Sequence, residues 1–260
     1  MKLGAIFPNP VAAELQGLTV LAGHGVSTVA AVPEAFVDDS FALKVGVDAI
    51  AAALTGDVKL CAIWASMPVM GAGDARAGAR HVASCIDLAD ALREFSGQEA
   101  LPIVVADAGA GDRRGDWAKL VEAVKVLAGQ AEERQVVLAV RPDRATMVDR
   151  SRALVALLGE VGSSHVQAAL DAAATVGDKD TLDAAAEKLR DNIVIACARD
   201  VTFDQSGAAS YLPAGRGQLN YSQYVDLLGG CPGLGSLVAT ELASADDARA
   251  ALAKLRGVVG

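Results

Sequence analysis

Charged residues close most of the apolar runs in this chain. Asp107 follows Pro102–Ala106, Arg141 follows Val136–Val140, and Asp171 follows Val166–Leu170. Further on, Arg199 follows Ile193–Ala198 and Glu241 follows Ser236–Thr240. Carboxylates can move protons or ligate a hard cation, and a guanidinium can neutralise acids or hold an anion. Glu241, Asp171 and Arg141 are therefore the candidate catalytic groups. Arg199, Arg216, Cys197, Asp107 and Trp64 are the candidate ligand contacts.

Each run has strand length and aliphatic content, and each is followed by a helical pattern. Eight strands are expected: Lys2–Phe7, Ser27–Val32, Lys59–Trp64, Pro102–Ala106, Val136–Val140, Val166–Leu170, Ile193–Ala198 and Ser236–Thr240. Helices are expected over Val11–Leu21, from Asp39-Ser40 to Leu54, and from a Gly- and Ala-rich loop (67–78) to Phe95. Others cover Asp116–Glu133, Leu154–Val161, Thr181–Arg190 and Tyr221–Leu228, and a last one follows Ser244 with the spacing of a capping box. Val201–Asn220 reads as an insertion carrying Gly215-Arg216-Gly217. Eight β-α repeats in 260 residues, without a linker, predict one α/β domain over residues 1–260, a closed (β/α)8 barrel. An open doubly wound sheet would show a glycine-rich phosphate loop after its first strand, and Phe7-Pro8-Asn9-Pro10 offers none.

In such a barrel, chemistry gathers at the carboxyl ends of the strands. Side chains alternate along a strand, so an inward Arg141 implies inward Ala139, and an inward Asp171 implies inward Ala169. By the same parity an inward Glu241 implies inward Ala239 and Leu237, and Cys197 shares the register of Arg199. Three alanines would then leave room beneath three charges. Gly109-Ala110-Gly111 could present backbone amides to an anion.

The net charge of −9 argues against nucleic acid or an anionic membrane as partner. Cys61, Cys85, Cys197 and Cys231 are scattered, which points to free thiols in a reducing, cytoplasmic compartment. No run is long enough for a signal peptide or a membrane span. His24, His81 and His165 read as ordinary, partly exposed histidines.

Specific segments carry a family resemblance. Leu138-Ala-Val-Arg-Pro142, Val148-Asp149, Ala153-Leu154, Leu158-x-x-Val161-Gly162-Ser163 and Val166–Asp171 resemble the xylose-isomerase-like barrels of sugar phosphate isomerases, epimerases and family 2 AP endonucleases. So do Asn192–Val201, the Gly-x-Gly at 215–217 and a terminal strand ending in Glu. The resemblance implies one divalent metal held by Glu, Asp, His and Glu on the last four strands, and enediolate chemistry on sugars. Carried over by position, Asp falls on Asp171 and the last Glu on Glu241. The first Glu falls on Arg141, the His on Cys197, a further His on Ala174, and the acid within Gly-x-Gly on Arg216.

Two of those four ligands survive, so the expected cofactor is none, with Mn²⁺ or Mg²⁺ on Asp107, Asp143, Asp171 and Glu241 as the runner-up. Arg141 can replace the metal as counter-charge, its fork reaching Asp171 and Glu241. The resemblance implies a sugar isomerase or epimerase, here metal-independent, acting on or binding a small polar, anionic, sugar- or sugar-phosphate-like ligand. Glu241 or Asp171 would be its base and Arg141 its electrophile. A non-catalytic pseudoenzyme that binds a ligand or partner is the alternative. Whether the chain is an enzyme, and whether it forms a homo-oligomer, stay open on sequence alone.

Overall fold

The aliphatic runs form strands in the computed structural model, which describes residues 1–7, 27–32, 59–65, 67–70, 75–95, 101–175 and 181–259. The strands are β1 (Lys2–Phe7), β2 (Ser27–Val32), β3 (Leu60–Ala65), β4 (Ile103–Asp107) and β5 (Val137–Arg141). They continue as β6 (Val166–Asp171), β7 (Ile193–Phe203), β8 (Ala209–Pro213) and β9 (Ser236–Ala239). Parallel pairing runs from β1 through β7 in order, and β9 bridges β7 back to β1, which closes an eight-stranded parallel barrel. The helices expected before Lys59, and His24, lie outside the described residues.

Seven helices are described: α1 (Ala75–Ala91), α2 (Arg113–Glu133), α3 (Ser151–Val161), α4 (Ala172–Thr175), α5 (Leu182–Leu189), α6 (Tyr221–Leu228) and α7 (Ala245–Val259). Their ends follow local chemistry. Asp112, Thr181 and Asn220 accept hydrogen bonds from first-turn amides of α2, α5 and α6, and Gly162 closes α3 in the left-handed region. The spacing read before α7 is a working cap: the Asp247 amide donates to Ser244 Oγ, and Asp247 Oδ2 accepts from the Ala243 amide.

Alternation divides the apolar side chains into two layers. Ile103, Val105, Ala139, Ala169, Ile195, Cys197 and Val238 fill the barrel interior. Leu138, Val140, Leu170, Ala196, Leu237 and Ala239 face the helices, packing with Leu120, Leu154 and Leu157. The parity expected for β9 is thus corrected: Val238 points inward, while Leu237 and Ala239 point outward.

The segment read as an insertion is a hairpin. β7 runs on to Phe203 and pairs antiparallel with β8, from Arg199 opposite Pro213 to Phe203 opposite Ala209. Val201-Thr202-Phe203 and Tyr211-Leu212 are good strand formers, and Asp204 makes the turn by accepting from the Ser206 and Ala208 amides. His81 is also corrected: it is buried in α1, while His165 is half-buried as read.

Candidate functional site

The register of β4 and β5 sets Asp107 directly opposite Arg141. Arg141 points into the barrel mouth and donates from Nε to Asp107 Oδ1 and from Nη2 to Oδ2, each at 2.7 Å. This is the two-pronged geometry in which a guanidinium binds a carboxylate most tightly. Trp64, at the end of β3, lies under the same guanidinium, 5.1 Å from its carbon to the ring centre. The fork expected to span Asp171 and Glu241 is therefore spent on Asp107. Only Nη1 of Arg141 approaches Asp171, at 3.8 Å from Oδ2.

Asp171 belongs instead to Arg199. On the paired strands β6 and β7, Asp171 stands opposite Cys197, and Arg199 lies two residues beyond on the same face. Its Nε lies 2.7 Å from Asp171 Oδ2, its Nη2 donates to Asp143 Oδ2 at 2.6 Å, and its Nη1 donates to Glu241 Oε1 at 3.3 Å. Tyr211 of β8 lays its ring on the guanidinium, 3.5 Å from carbon to ring centre. Arg199, expected as a ligand contact, is thus a buried hub among three acids.

Glu241 reaches this hub by an unusual backbone. The strand stops at Ala239, and Glu241 takes φ of 61°, a left-handed conformation that few non-glycine residues adopt. Its side chain stays 38% exposed while that of Asp171 is fully buried. Next to it, the hydroxyl of buried Thr240 has no hydrogen-bond partner among the described residues.

The electrostatics follow from burial and pairing. Burial pushes the Asp171 carboxyl up, and the nearby Arg199 and Arg141 only partly offset it. Asp143 is also desolvated, yet its hydrogen bond from Arg199 and the Ala145 amide hold it below the usual carboxylate range. Burial opposes the charges of Arg141 and Arg199, but the acids around them win and both stay firmly protonated. Burial drives the Cys197 thiol well above its ordinary range, which makes it a packed thiol and not a nucleophile.

These residues are a poor fit for the divalent ion that the resemblance implies. Asp171 Oδ1 accepts from the Ala173 amide, and Oδ2 lies against Arg199. Asp107, Asp143 and Glu241 each give oxygens to a guanidinium. Among the described residues, no group of three or more His, Cys, Asp or Glu is arranged to hold a metal. The structure does assemble the four acids of the displaced ligand set, but around two arginines.

Other candidates sit elsewhere. Arg216 pairs with Asp247 at the start of α7 and is half-exposed. Gly109 takes φ of 91°, and a side chain there would drive into the Met70 carbonyl, so glycine serves close packing in this loop. Sequence reading missed Tyr211, hidden in the supposed insertion, and Asp200. The latter ties the loop after β8 by accepting from the Val201, Gly215 and Leu219 amides. Alternating apolar residues around a Ser-Gly turn were the available signal for the hairpin.

Comparison with known proteins agrees with this architecture. A structure of a xylose isomerase domain protein from Planctomyces limnophilus superposes with a TM-score of 0.77 at 12% identity, covering 99% of this chain and 96% of that one. The apo form of 3-keto-D-glucoside 4-epimerase from E. coli gives 0.74 at 16%, covering 99% of each chain. A D-psicose 3-epimerase with D-tagatose from Clostridium cellulolyticum H10 gives 0.69 at 15%, covering 100% and 99%. At such identities the likeness is one of fold. A search of curated protein sequences found no match. The family model described as xylose isomerase-like TIM barrel matches residues 19–256, nearly the whole barrel, and the chain belongs to that family.

Proposed function

We propose that the barrel mouth is an isomerase- or epimerase-type site that takes a small polar, sugar-like ligand and works without a divalent metal. The observation that carries this reading is Arg199 within 2.6–3.3 Å of Asp143, Asp171 and Glu241, a fixed cation beside the two acids carried over from the family pattern, Asp171 and Glu241. Glu241, the partly exposed acid, is the proton-transfer base. Arg141 Nη1, loosely engaged with Asp171, is the donor that polarises a carbonyl oxygen or receives an anionic group. Asp171 orients Arg199 from below. Similar folds named as epimerases, one of them with D-tagatose, support a sugar-like ligand.

A second reading, a binding barrel without turnover, is favoured by the burial of Asp171 and Arg199, which removes both from contact with a substrate. Solvent deuterium separates the two. Incubating the protein with a panel of ketoses and their phosphates in D₂O should give carbon-bound deuterium that Glu241→Gln abolishes. Saturable binding of a panel member with no exchange selects the binding barrel. Stoichiometric metal in the purified protein, lost in Asp171→Asn, overturns the metal-free site in either form.

A further inference from the structure

On the outer wall of the barrel, α2 and α3 begin side by side and enclose a cleft of about 320 Å³. That volume is at the lower end for small-molecule sites. Arg113, Arg150 and Arg152 line it together with Trp117 and Glu160. Three guanidiniums in one cleft stand out on a chain of net charge −9.

Ion pairs inside the cleft engage two of its three arginines. Arg113 and Arg150 share one carboxylate, Asp149, at 2.7 Å and 2.8 Å. Glu160 accepts from the Trp117 indole N–H at 2.9 Å. Arg152 is exposed and has no ion pair among the described residues. The start of α3 adds partial positive charge, since Arg150 holds the cap position without a side-chain hydrogen bond. Ala153 and Ala156 supply the apolar part of the lining.

We infer that this cleft binds a phosphate-type dianion, held chiefly by Arg152 with Arg113 and Arg150 as flanking donors. Guanidinium forks suit tetrahedral oxyanions, and the Asp149 pairing holds two of the three in place. The site lies outside the barrel and does not depend on the reading of the mouth. Free phosphate and phosphate esters share the chemistry.

Trp117 reports on it, because the chain has one other tryptophan, Trp64. In Trp64→Phe, inorganic phosphate at constant ionic strength should change Trp117 emission saturably, and Arg152→Ala should weaken the fitted affinity about tenfold or more. Glucose 6-phosphate in a parallel titration distinguishes the sources. Tighter binding than phosphate assigns the cleft to esters, and weaker binding assigns it to the free ion. Calorimetry on the wild-type chain gives the same constants without Trp64→Phe. No saturable response to either compound, an equal response to NaCl, or an unchanged constant in Arg152→Ala overturns the site.

Discussion

Arg199 Nε and Asp171 Oδ2 lie 2.7 Å apart across two paired strands, with both side chains shut away from solvent. The register accounts for the contact: Asp171 is level with Cys197, so the next inward residue of β7 rises just above the carboxylate. Breaking such a pair from one side leaves a buried charge uncompensated.

Arg199→Met should therefore cost about 3–5 kcal/mol of stability in urea unfolding. Arg141→Met should cost less, about 1.5–3 kcal/mol, because Asp107 is partly exposed and can be hydrated. Adding Asp171→Asn to Arg199→Met should recover part of the loss, since it removes the stranded charge. Equal costs for the two arginines would mean that burial of the partner acid does not set the energetics.

How much of this was legible in the sequence depends on the range of the interaction. The strands were readable because each is a continuous aliphatic run, and strand ends named Asp107, Arg141, Asp171, Arg199 and Glu241 as mouth residues. Which acid each arginine would choose was not readable, because it depends on register between strands far apart in the chain. Asp107 is 34 residues before Arg141, and Asp143 is 56 before Arg199. Parity failed at Glu241 for a local reason: a residue with φ of 61° ends the alternation on which parity rests. The hairpin was overlooked because a strand that outlasts its barrel looks like loop once the helical pattern fails to follow.

The Gly215-Arg216-Gly217 loop has a structural task that substitution would expose. At Gly217 an added Cβ would press on the Asp200 carboxylate and the Val201 carbonyl, where Asp200 gathers the amides that fix this loop. Gly217→Ala should cost about 1–3 kcal/mol and loosen the β7–β8 hairpin. Hydrogen exchange should show faster exchange at the Gly215 and Leu219 amides, and unchanged rates there would contradict the assignment.

The proposed replacement of the metal by a guanidinium has a thermodynamic signature. An ion bound only to the folded state, at a hundred times its dissociation constant, stabilises by about 2.7 kcal/mol. The melting temperature should therefore be the same in EDTA and in millimolar Mn²⁺ or Mg²⁺. A rise with Mn²⁺ that Asp171→Asn removes would show an ion held among these acids.

The pH dependence of stability should carry two opposed slopes from one cluster. Burial raises the folded-state pKa of Asp171, so folding favours its protonated form. Its contribution is fully present below the unfolded value of about 3.9 and is lost as pH rises through the folded value. Arg199 and the Ala145 amide lower the pKa of Asp143, so its contribution is present above about 3.9 and is lost as pH falls through the folded value. In urea unfolding from pH 3 to 7, Asp171→Asn should remove the decline on the alkaline side of 3.9, and Asp143→Asn should flatten the loss on the acid side. Neither change can exceed about 1.4 kcal/mol per pH unit, the limit for one proton. The same slope lost in both variants would show that the two acids titrate as a single shared site around Arg199.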